Sequence, residues 1–128
     1  MRNLAIAFLT LAPMFAASAA DFSGTYKGTW SGGQANGDIM MKLTTSGGET
    51  KADVSFALSG ESVKCTVTSV KTDGSKIEIV YEFDLGDVKL QSTATGELKG
   101  KTIEGTYKTK SLADGSAVDE GTWKAASS

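Results

Sequence analysis

The chain has 128 residues, a formal net charge of −2, one cysteine and no histidine. The missing histidine excludes a His-based triad and imidazole metal ligands, and a single cysteine excludes both a thiolate zinc cage and an intramolecular disulfide. Lysines scattered among a slight excess of carboxylates form no basic patch of the kind nucleic acid requires.

The first stretch reads as an address. Met1-Arg2-Asn3 is a short positive start, residues 4–15 are an apolar run of secretory length, and Ala17-Ser18-Ala19-Ala20 offers small residues for cleavage. Cleavage after Ala20 is expected, giving a leader over 1–20 and a single domain over 21–128. The apolar run is interrupted by Thr10 and Pro13 and is too short for a good membrane span. No cysteine stands at the cleavage point to carry a lipid anchor. The expected mature chain carries twelve lysines against fifteen carboxylates, net −3, and contains neither arginine nor proline. A periplasmic or secreted location follows as the expectation.

Residues 22–30 set the pattern for the rest. Phe22, Gly24, Tyr26, Gly28 and Trp30 alternate with Ser23, Thr25, Lys27 and Thr29, which is a strand with one apolar face. A turn is expected over 31–38, then a strand in which Ile39, Met41 and Leu43 face inward. Ser46-Gly47-Gly48-Glu49 turns the chain into a third strand carrying Ala52, Val54, Phe56 and Leu58. Ser59-Gly60-Glu61 leads to a fourth, with Val63, Cys65 and Val67 on one side, which makes Cys65 a small core residue rather than a reactive thiol.

Asp73-Gly74 is the strongest hairpin signal and predicts a two-residue type I′ turn. Ile77, Ile79, Tyr81 and Phe83 mark strand five, with Glu78, Glu82 and Asp84 on its polar face. Strand six presents Val88, Leu90, Ser92, Ala94, Gly96 and Leu98 inward. Strand seven carries Ile103, Gly105 and Tyr107, a long connection follows over 111–119, and strand eight carries Gly121, Trp123 and Ala125. The tail from Ala126 is expected to fray. Asp114, Asp119 and Glu120 have no calcium-loop spacing and read as a polar loop.

The prediction is therefore all-β: an antiparallel up-and-down meander of about eight strands, closed or nearly closed into a barrel. An open or two-layer sandwich is the alternative. The tripeptide Gly-Thr-aromatic, at 24–26, 28–30, 105–107 and 121–123, favours closure, with the last strands returning to meet the first. Gly24, Gly28, Gly105 and Gly121 share the apolar face and would form one contiguous wall. Those glycines let a small barrel coil sharply under a covering aromatic, or they line a ligand-sized cavity. On the second reading, Gly24→Leu or Gly105→Leu abolishes binding and leaves the barrel folded.

At Gly28-Thr29-Trp30 the chain resembles the calycins, that is lipocalins, fatty-acid-binding proteins and avidins. The resemblance covers strand order and one Gly-x-Trp motif. It implies a barrel whose Trp30 closes the floor, packed in lipocalins by a late arginine; here Lys124 is the nearest substitute. Length leaves no room for the lipocalin helix, and Trp30 and Trp123 are too few for an avidin-type biotin site.

The expected function is a small-ligand carrier holding an apolar or amphipathic molecule in the barrel. Tyr26, Trp30, Tyr81, Tyr107 and Trp123 are the candidate ligand contacts, because each pairs an apolar body with a polar handle. Catalytic residues, metal and cofactor are not expected, nor are nucleic-acid binding or membrane insertion. Two alternatives stay open: a filled barrel that binds or inhibits a protein partner, and a small outer-membrane barrel with its apolar face toward lipid.

Overall fold

The computed structural model describes residues 21–33 and 35–127. The expected leader over 1–20 lies outside the described residues, as do Gln34 and Ser128. Every regular element among them is a β-strand: β1 Gly24–Gly32, β2 Asn36–Ser46, β3 Glu49–Leu58, β4 Glu61–Lys64, β5 Thr66–Asp73, β6 Lys76–Leu85, β7 Val88–Lys99, β8 Thr102–Ser111 and β9 Ala117–Ser127. They form one antiparallel sheet in the order β4-β3-β2-β1-β9-β8-β7-β6-β5. The last strand returns to the first, with Trp123 directly opposite Trp30. The Gly-Thr-aromatic strands β1, β9 and β8 are therefore neighbours, as the repeat predicts.

The count is nine because the expected fourth strand is two. β4 pairs with β3 from Leu58↔Glu61 to Ser55↔Lys64, whereas β5 pairs with β6 at the opposite end of the sheet. Cys65 is the changeover, and its N–H donates to the Val54 carbonyl at 3.2 Å. One continuous segment thus serves both ends of the sheet, which curls strongly into a half-barrel. A bulge between Val67 and Ser69 bends β5 further and shifts its inward parity, so that Val70 packs on the core. Alternation alone cannot reveal a change of pairing partner, which is why the break was not expected.

Five connections are two-residue hairpins, between Ser46↔Glu49, Leu58↔Glu61, Asp73↔Lys76, Leu85↔Val88 and Lys99↔Thr102. Ser59 and Gly60 both have positive φ, 53° and 81°, as a type I′ turn demands. The turn expected at Asp73-Gly74 is shifted by one residue. Asp73 pairs with Lys76, and only Gly74 of the Gly74-Ser75 loop is left-handed, the type II′ signature. The turn expected over 31–38 is also tighter, closed by Gly32 N–H donating to Ala35 O at 2.8 Å. The tail does not fray as far as Ser127. Ala126 and Ser127 pair with Lys27 and Tyr26, and Ser127 N–H donates to Lys101 O at 2.8 Å.

The apolar face points inward and the charges outward. Cross-strand partners on the outer face alternate in sign, as in Lys42↔Asp53, Lys71↔Glu78, Asp84↔Lys89 and Glu104↔Lys124, the arrangement that stabilises neighbouring strands. Val88 departs from its expected inward place and is 48% exposed. It directly follows the Gly86-Asp87 turn, beyond the end of the core.

The two ends of the barrel differ. At the end carrying the 47–48, 74–75 and 100–101 turns, the interior is solid: Phe22, Tyr26, Met41, Leu43, Ile79 and Ile103 are fully buried. At the other end, carrying the 33–35, 59–60, 86–87 and 112–116 connections, it is hollow.

Candidate functional site

The hollow end is a cavity of about 180 Å³. Trp30, Phe56, Tyr81, Phe83, Tyr107 and Trp123 supply aromatic walls, Ile39, Leu58, Leu85 and Leu90 the aliphatic ones, and Ala35, Val118 and Asp119 complete the lining at the mouth. Of the five predicted ligand contacts, the structure brings four together here: Trp30, Tyr81, Tyr107 and Trp123. Tyr26 lies in the solid half and does not line the cavity.

The aromatic walls are held in place by edge contacts and by backbone acceptors. Trp30 meets Phe56 and Tyr107 nearly at right angles, with ring centroids 5.8 and 6.0 Å apart, and Phe56 meets Phe83 at 4.9 Å. These are favoured aromatic geometries. Trp30 Nε1 donates to Ala57 O at 3.3 Å and Trp123 Nε1 to Thr106 O at 3.1 Å. Both indoles are therefore tied to the wall, leaving their faces to the interior.

Trp30 lines the hollow end and does not form the floor implied by the Gly-x-Trp resemblance; Phe22 and Tyr26 fill the solid end instead. Lys124 does not pack against Trp30. Its ammonium lies outside the barrel, 3.9 Å from the Glu104 carboxylate, because Lys124 has the outward parity of its strand.

The strands that carry Gly24, Gly28, Gly105 and Gly121 are neighbours, as expected, but across them glycine alternates with aromatic partners, as in Gly105↔Trp123 and Gly121↔Tyr107, and none of the four glycines lines the cavity. A Cβ on Gly105 would collide with the Thr95 carbonyl and lie 2.6 Å from the Gly96 Cα. A Cβ on Gly28 or Gly121 would collide with the backbone of the facing strand in the same way. These glycines allow tight coiling, and the Trp123 ring covers Gly96, since a Cβ there would sit 2.7 Å from its Cζ2. The expectation that Gly105→Leu leaves the barrel folded is therefore overturned. Gly24 lies at the solid end, away from the cavity.

Three polar stations interrupt the apolar lining. Ser92 and Thr109, both buried, share a hydrogen bond between their hydroxyls. Tyr81 stands beside Ser92, and burial, with the nearby Cys65 thiol, pushes its phenol up to about 12. At the mouth, Tyr107 donates to Asp119 Oδ2 at 2.9 Å, and Gly33 N–H donates to Asp119 Oδ1 at 3.0 Å. Burial and the Asp119 carboxylate hold the Tyr107 phenol well above its ordinary range. Gly32 makes this arrangement possible, because a side chain there would occupy the place of the Tyr107 hydroxyl and the Asp119 carboxylate.

Sequence reasoning missed Asp119 and Thr109 as lining residues. For Thr109 the signal was present, since it shares the parity of Ile103, Gly105 and Tyr107; Asp119 stands next to a bulge in a stretch that reads as loop, so its place in the lining could not be read. Asp119 and Asp114 have separate tasks. Asp114 accepts from Ser116 N and Oγ within its own loop, and that hydrogen bonding lowers its pKa. Cys65 is a free, half-buried thiol packed on the core, and burial pushes it up to about 12. Comparison with protein-family models, curated proteins and solved structures found no match.

Proposed function

We propose that this protein is a calycin-like carrier that holds a small apolar or amphipathic molecule in the open half of its barrel. The observation that carries the reading is the contrast between the two halves. Protein interiors are close-packed with few voids larger than water, and the solid half obeys that rule. The hollow half encloses about 180 Å³ between apolar and aromatic walls, behind an open mouth. A cavity of about 150 Å³ lined by apolar side chains accepts benzene. The expected ligand body is therefore a single ring or a short branched chain, smaller than the typical occupant of a pocket of about 300 Å³ or more.

Outward charges and an inward apolar core suit a barrel surrounded by water, and with the leader read over 1–20 they support a periplasmic or secreted carrier. The same orientation weighs against the outer-membrane alternative, which needs the apolar face outside.

Toluene titration tests the reading, because Trp30 and Trp123 both line the cavity. Saturable change in tryptophan emission is expected, with amide shifts confined to the hollow half. A linear, non-saturating response with shifts spread over the surface would overturn it.

A further inference from the structure

Within the proposed carrier reading, the mouth of the cavity selects among small molecules by charge. We infer that the ligand is a small organic ammonium: a single-ring or short-alkyl body in the aromatic cavity, with its cationic nitrogen on the Asp119 carboxylate. Asp119 is the one carboxylate in the cavity lining, and no lysine lines it. Both ion pairs among the described residues are made by Glu104 on the outer surface, so neither involves Asp119.

Asp119 is nonetheless fixed in place. Its two oxygens each accept one protein hydrogen bond, from the Tyr107 hydroxyl and the Gly33 amide. A carboxylate offers roughly four acceptor positions, so half of its capacity is left for a donor arriving from the cavity. An oriented, partly buried anion without a cation partner is electrostatically incomplete. An ammonium supplies both the opposite charge and the N–H donors.

The walls favour the same class. Tyr107 is hydrogen-bonded to this carboxylate and Trp30 packs against Tyr107, and aromatic faces attract cations through the ring quadrupole. An anionic ligand of the same shape would meet the carboxylate and the ring faces as repulsion. A neutral alcohol would find an acceptor but no charge complement. Tyr107 acts as a positioning residue, holding Asp119 at the mouth.

The test is calorimetric titration of the whole protein with phenethylamine, phenethyl alcohol and hydrocinnamate, on the natural sequence and on Asp119→Asn. A hydrogen bond to a charged partner predicts that the amine binds about tenfold or more tighter than the alcohol, with hydrocinnamate weakest. Asp119→Asn should erase the amine's advantage over the alcohol. Equal binding of amine and alcohol would overturn the ammonium assignment while leaving the carrier reading standing. An amine advantage that survives Asp119→Asn would overturn the role of Asp119. Saturation by none of the three would sink both readings. Should Asp119→Asn fail to fold, Tyr107→Phe keeps the carboxylate but removes the hydroxyl that holds it, so the preference for the amine should fall; an undiminished preference there would count against Asp119 as the held partner.

Discussion

At the scale of single residues, this barrel depends on side chains that are absent as much as on those present. Gly105 faces Gly96 across β8 and β7, and a methyl group at 105 would run into the Thr95 carbonyl. Gly105→Ala should therefore cost about 3 kcal/mol, as overpacking against unyielding backbone does. Gly100→Ala meets open space and strains only a φ of 64°, so it should cost about 1 kcal/mol. Urea midpoints of the two variants check the ranking, and equal losses would contradict it. The tyrosines give a second residue-scale expectation. Burial raises Tyr26, Tyr81 and Tyr107, and it raises Cys65 as well. Because the folded values lie above the unfolded ones, the neutral forms favour folding. That contribution is whole below about pH 9, the ordinary thiol value, and is lost as the pH climbs toward about 12. Tyrosinate absorbance should thus lag behind that of free tyrosine as the pH rises and emerge chiefly with unfolding. A component titrating at the ordinary phenol value in the folded protein would contradict the burial of these rings.

At the scale of elements, the tight turns decide register and carry one visible imperfection. Ser59 is the one non-glycine residue with positive φ among the described residues, at 53°, and L-residues other than Asn and Asp pay for that conformation. Ser59→Asn creates the Asn-Gly pair that type I′ turns prefer and should stabilise the barrel by about 0.5 kcal/mol, read as a raised urea midpoint with unchanged slope. Much of this level was legible in the amino-acid order. Alternation at Phe22, Tyr26 and Trp30, or at Ile77, Ile79, Tyr81 and Phe83, assigns strand and face together, since both follow from a period of two. Three features were not legible, each for a reason of its own. The break at Cys65 is a change of pairing partner, and local periodicity records no partner. The Gly74-Ser75 turn differs from an Asp73-Gly74 turn by one step of register, which the composition of the dipeptide does not resolve. Asp119 sits beyond a bulge between Ala117 and Asp119, where a charged residue in a loop-like stretch concealed the inward parity.

At the scale of the whole molecule, the division into a solid and a hollow half is the central feature. Four of the aromatic residues singled out from the sequence meet in the hollow half, and Tyr26 serves the solid one. No period in the sequence separates these roles, because every inward residue looks alike until the height along the barrel is known. Ser92 and Thr109 also belong to the hollow half, and their hydroxyls satisfy one another. Replacing both by valine removes that donor and acceptor together but also takes the Ser92 hydroxyl from Tyr81, so the double change should cost less than the sum of the two single ones. Ser92→Val alone strands the Thr109 hydroxyl and should cost about 1–3 kcal/mol; a double-mutant cycle measures the difference. The carrier account itself rests on whether the hollow half is filled when the protein is recovered from its host. Native mass spectrometry of the natural protein, released without detergent, answers that most directly. The account predicts one discrete, displaceable adduct with the mass of a single-ring or short-chain molecule, lost from a variant whose cavity is blocked by Thr109→Trp. A bare protein mass, identical for the natural chain and the blocked variant, would contradict it.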